Sequence, residues 1–174
     1  MEYTFTLTYR LSEADSNQDA IVERLGEAGC DDALIGIGQP GRLALEFTRE
    51  AASAELAMVS ALADIKRAVP SAQLIEAAPD FVGLTDVAEM VGVTRQNLRK
   101  LMLGYRSNFP LPVHEGSSTV WHLADMLDWL KVNVAYQLEP ATLDVAKTTK
   151  QINLAKQARQ IAPQINLEVQ AFVV

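Results

Sequence analysis

Over the first 78 residues, apolar and polar positions alternate in short runs, and two longer stretches repeat at helical spacing. In residues 3–10, Phe5, Leu7 and Tyr9 alternate with Thr4, Thr6 and Thr8, the period of two that turns one face of a strand inward. Residues 19–28 predict a helix with Ile21, Val22 and Leu25 inward, capped by Ser16 or Asn17 and stopped at Gly29. The apolar runs 33–38 and 42–48 are parted by Gln39-Pro40-Gly41, a hairpin signal. A long helix is predicted over 51–68 with Leu56, Val59, Leu62 (or Ala63) and Ile65 inward, and Pro70 bars its continuation. Residues 72–77 read as a last strand, and Pro79-Asp80 as a boundary.

The order β-α-β-β-α-β is that of a split βαβ, or ferredoxin-like, plan, so an α+β fold is expected over residues 1–78. The rhythm changes after it. Over residues 84–130 two short helices joined by a tight turn precede a Pro-bounded hairpin and an amphipathic helix. Thr85 is the expected cap of the first helix, and Gly92, within Val91-Gly92-Val93, supplies the turn. Thr94 caps a second helix, 95–103, whose Leu98, Leu101 and Met102 face Val87 and Val91. Its outer face carries Arg95, Gln96, Asn97, Arg99 and Lys100. Arg and Lys reach phosphates or guanine edges, and Asn and Gln pair with adenine.

Ala88 within the first helix, Gly92 in the turn and apolar Val87, Val91, Val93, Leu98 and Leu101 resemble a helix-turn-helix. Phe109-Pro110, Pro112-Val113, a short hairpin, Trp121-His122 and a helix ending Asp128-Trp129-Leu130 resemble the winged helix of the MerR and excisionase group. The resemblance spans residues 81–131. It implies duplex DNA as partner, with Thr94, Arg95, Gln96, Asn97 and Arg99 in the major groove. Lys100 and Arg106, with Ser117, Ser118 and Thr119 on the wing, would position phosphates. Wings of this group often carry Arg or Lys; here the tip, residues 114–118, has no permanent positive charge.

Charge modifies this picture. The net charge of −7 at first opposes a nucleic-acid partner. Its distribution does not: residues 1–80 hold 6 basic and 14 acidic residues, whereas 95–114 holds four basic residues and no acidic one. The acidic part is expected to face away from DNA, and the reader to lean on base contacts and dimerisation.

Catalytic chemistry finds no footing. Gly36-Ile37-Gly38-Gln39-Pro40-Gly41 satisfies the dinucleotide fingerprint, but the alternating Leu43, Leu45 and Phe47 behind it predict a strand where the pyrophosphate needs a helix N-terminus. No phosphate-binding loop, zinc-protease motif or nucleophile elbow is present, so no enzyme and no cofactor is expected. The single Cys30 excludes an intramolecular disulfide, and its neighbours Asp31 and Asp32 would raise its pKa. Trp121 and Trp129 are expected in the core, and the two histidines in surface or hydrogen-bonded roles. Without a signal peptide or a long apolar run, the chain reads as cytoplasmic.

Beyond Leu130, residues 132–138 are expected to extend the helix until Glu139-Pro140. Residues 141–162 predict a helix with Val145, Thr149, Ile152, Ala155, Arg159 and Ala162 near one stripe and Leu154, Ala158 and Ile161 beside it. It suits either a dimerisation arm or a helix packed on its own chain. Residues 165–174 alternate like a strand seeking a sheet edge. Three segments follow: 1–78, 81–131 and a C-terminal arm at 132–174. The expected function is a sequence-specific, dimeric DNA-binding regulator of repressor type. The alternative is a protein-interaction adaptor or antitoxin-type protein that binds a partner protein, through the acidic N-terminal domain, as well as, or instead of, DNA.

Overall fold

A computed structural model describes residues 1–161, Val169 and Val173. The elements of the described residues make a mixed α+β fold of six helices and two antiparallel sheets. The first sheet contains β1 (Glu2–Arg10), β2 (Ala33–Gly36), β3 (Arg42–Glu50) and β4 (Gln73–Ala78), in the order β2-β3-β1-β4. Because β3 pairs antiparallel with both β1 and β2, those two strands run the same way with β3 between them. The alternation expected in β1 is realised: Tyr3, Phe5, Leu7 and Tyr9 are buried, and Phe5 stacks on Phe47 directly opposite, ring centroids 5.3 Å apart. The stretch 36–41 joins two strands, with no helix after its glycines.

Two helices cover the inward face. In α1 (Gln18–Glu27), Asn17 Oδ1 accepts from the Ala20 amide, and Gly29 leaves the helix at φ 92°. Ile21 and Leu25 are buried, but Val22 is exposed, contrary to expectation. In α2 (Ala54–Ala68) the correction is larger. Its buried stripe is Ala54, Ala57, Met58, Ala61, Ile65 and Ala68, which leaves Leu56 and Val59 outside. Residues three apart fall about 60° short of a full turn, so 56, 59, 62 and 65 spiral around the helix instead of holding one face. The alanines let the helix axis approach the sheet.

The second half contains β5 (Phe81–Val82), α3 (Leu84–Met90), α4 (Arg95–Gly104), β6 (His114–Glu115), β7 (Thr119–His122) and α5 (Leu123–Asn133). Its three-stranded sheet has the order β5-β7-β6. Leu84, Val87, Ala88, Leu98, Phe109, Trp121, Leu127 and Trp129 share one core. Helix α5 ends at Asn133 and does not run on to 138; Ala135, at φ 55°, lies outside the helical region.

Helix α6 (Pro140–Ala158) joins the two halves. Val145 enters the first core, and Leu143 and Ala146 enter the second. Its inner side is Leu143, Val145, Ala146, Thr149 and Asn153, while Ala155 and Arg159 of the expected stripe are exposed. Leu143, Val145 and Ala146 are thus spent within the chain, while Leu154 and Ile161 are exposed. Asn153 treats the edge of β4 as a strand would: it accepts from the Ala77 amide at 2.9 Å and donates to the Ala77 carbonyl at 2.8 Å. The same side chain donates to Asp80 Oδ2 at 2.8 Å, and His122 Nδ1 lies 2.7 Å from Asp80 Oδ1. A bare sheet edge is thus closed by a side-chain amide, and a buried carboxylate is partnered on both oxygens. The expected strand at 165–174 falls outside the described residues apart from Val169 and Val173. Among the described residues, no helix is long and apolar enough to cross a membrane.

Candidate nucleic-acid interface

The site is built on the α3–α4 turn. Thr85 does not cap α3: the N-cap is Gly83, whose amide donates to Asp86 Oδ2 at 2.7 Å. Gly92 turns the chain at φ 71°, and the Val93 amide donates to the Ala88 carbonyl at 2.9 Å. Thr94 then caps α4, its Oγ1 accepting from the Asn97 amide at 3.2 Å. With Leu98 fully buried and Leu101 and Met102 half-buried, the register of α4 is fixed. Arg95, Gln96, Asn97, Arg99 and Lys100 are all exposed.

These residues divide into two groups. Arg95 and Arg99, one turn apart, line a groove of about 670 Å³ together with Arg106, which lies beyond the end of α4. The opposite wall is the wing, with Ser117, Ser118, Thr119 and Glu115, and Thr85 of α3 closes one side. Six of the expected contact residues therefore meet in one place. Gln96, Asn97 and Lys100 do not line the groove; they lie on the neighbouring exposed face of α4. Thr94 is committed to its cap.

Sequence reasoning missed Thr85, Glu115 and the apolar floor. The floor is formed by Met102, Leu103, Phe109 and Trp121, with Leu111 projecting at 87% exposure. The Phe109-Pro110 and Pro112 pattern could have found it, because it turns the chain under α4. Trp121 holds that turn by donating from Nε1 to the Pro110 carbonyl at 3.0 Å, and Phe109 packs edge-on against Trp121 and Trp129.

The groove's charges are unspent. Arg95, Arg99, Arg106 and Glu115 form no ion pair among the described residues; in the acidic half Arg24, Arg49 and Arg67 are paired, whereas Arg10, Arg42 and Lys66 are not. Lys147 and Lys150 of α6 are likewise bound to Asp128 and Asp125 of α5. The arrangement can hold an extended, negatively charged chain between helix and wing, with arginine forks on one wall and hydroxyls beside the single Glu115 carboxylate on the other. No family profile, curated protein or solved structure matches the chain.

Proposed function

We propose that the chain is a sequence-specific regulator that binds double-stranded DNA as a dimer. Residues 1–78 form a ferredoxin-like domain, and residues 81–131 a winged helix-turn-helix. One observation carries this reading: three unpaired arginines converge on a groove walled by hydroxyl-bearing residues of a hairpin. In a protein of net charge −7, three arginines gathered around one groove without ion-pair partners among the described residues point to an anion outside the chain. Helix α4 would lie in the major groove, with Gln96 and Asn97 beside Arg95 and Arg99 for base edges, while Arg106 and the wing hydroxyls hold the phosphates.

The test is selection from a random duplex library, followed by titration of the recovered site. Arg95→Ala and Arg99→Ala should each cost about 1–3 kcal/mol of specific binding where they meet bases. Enrichment of no sequence at low salt, or unchanged affinity in both variants, would remove α4 from this role.

The exposed Leu111 favours a second reading, in which the groove takes an acidic segment of a partner protein anchored by an apolar side chain. Leu111→Asp would then abolish partner capture and leave selection of duplex DNA intact.

A further inference from the structure

Helix α2 presents two faces, and only one is used by the fold. Opposite its alanine-rich core stripe lie Leu56, 58% exposed, and Val59, 53% exposed, with the small Ala63 one turn on. Glu55 and Lys66, both exposed, flank this strip on the same side of the helix. They are eleven residues apart, about 16 Å along the axis, which is too far to pair within one helix. Neither forms an ion pair among the described residues; Lys66 Nζ only donates to the Pro70 carbonyl.

From this pattern we infer that α2 is the homodimer contact, with a second copy of the chain as its occupant. The inference rests on the DNA reading for its purpose, since one short recognition helix covers few base pairs. The geometry is self-complementary. A two-fold axis crossing α2 near Val59 and Ser60 sets the two helices antiparallel, and residues whose numbers are symmetric about that point to within one position come opposite. Leu56 then meets Ala63 of the copy, large against small, and the two Val59 side chains meet at the axis. The same axis keeps one flank of both helices on one side, so Glu55 faces Lys66 of the copy, twice over. The strip also explains why α2 carries two large apolar residues that its own core does not bury.

Sedimentation of the full chain without DNA tests this, because its outcome is independent of whether the groove binds DNA. The wild type should form a dimer whose population rises with concentration. Leu56→Glu, at an exposed position, should weaken it at least tenfold with an unchanged melting temperature. Glu55→Lys and Lys66→Glu should each weaken it several-fold, and the double variant should restore it. Val59→Cys should give a disulfide-linked dimer on oxidation. A wild type that stays monomeric at about 100 µM, or a dimer indifferent to Leu56→Glu and to both charge reversals, would overturn the assignment. A dimer that forms as expected while library selection recovers nothing would leave the contact standing and remove the DNA reading alone.

Discussion

Arginine is used in two opposite ways in this molecule. Arg49 spends its whole fork: it reaches Asp32 at 2.6 and 2.9 Å, Asp64 at 2.8 Å, Ser60 Oγ at 2.9 Å and the Gly29 carbonyl at 2.9 Å. Its hydrogen bonds to Asp32 are the main reason its pKa lies above the ordinary value. Such a residue ties α1, β3 and α2 together and has nothing left to offer a ligand. Cys30, beside that cluster, has its thiol pushed up to about 11, by burial first and by Asp64 next, which keeps it from reacting as a thiolate. Arg95, Arg99 and Arg106 spend nothing, and the acidic Glu115 shares their groove. A carboxylate there opposes every phosphate equally, so it suppresses binding that lacks base contacts to compensate. Glu115→Gln should raise affinity for selected and scrambled duplexes alike, several-fold, about 1 kcal/mol for one charge at such range, which lifts non-specific binding to a level that titration detects. Equal affinities of variant and wild type for scrambled DNA across salt concentrations would show that Glu115 lies off the path of the backbone.

At the scale of elements, α4 depends on its first turn, because Leu98 is its only fully buried side chain. Thr94→Ala should therefore lower stability by about 1 kcal/mol, the usual value of such a cap, visible as a lower urea midpoint. It should also weaken specific binding, because Arg95 and Asn97 sit in the turn that the cap holds. A loss of stability without loss of binding would detach the cap from the site. The same elements explain what was legible. Thr94 and Gly92 were readable because a hydroxyl cap and a left-handed turn have local causes, and the strand alternation of β1 because period two cannot slip unnoticed. Leu56 and Val59 defeat the sequence pattern because hydrophobicity names the large residues, whereas close packing on a sheet selects the small ones. Thr85 resembles a cap in sequence because the true cap, Gly83, has no side chain, and its partner Asp86 reaches back from within the helix. Glu115 could not be read, since it meets α4 only through the path of residues 105–113, which no periodicity describes; of the apolar floor, only the Phe109-Pro110 and Pro112 pattern is a local sign.

At the scale of the molecule, the junction of the two halves is where burial meets charge. Helix α6 brings Asn153 to β4 and Asp80, and Thr149 to the Pro79 carbonyl at 2.7 Å, so the segment between the sheet and the helix-turn-helix is held from one side. Glu76 of β4 lies in this junction. Its pKa is raised, by burial first and by the Asp80 carboxylate next, with Lys156 pulling the other way. A carboxyl whose folded pKa is raised binds its proton more tightly in the folded chain than in the unfolded one. Its ionisation thus costs stability at every pH above the raised value, and that cost fades as pH falls through the window down to the ordinary 4.5. Glu76→Gln, which keeps a polar group of the same shape, should therefore be the more stable protein at pH 7, with its advantage shrinking on acidification and gone below about pH 4. Melting temperatures of both proteins from pH 4 to 8 decide it. Parallel curves would mean that Glu76 ionises freely in the fold, and the junction would then be held by Asn153 and Thr149 without an opposing carboxylate. Converging curves would mark the junction as a place where the chain tolerates unfavourable charge. Since Glu76 and the groove arginines lie on different elements, the substitution should leave DNA affinity unchanged, so stability and recognition can be altered separately.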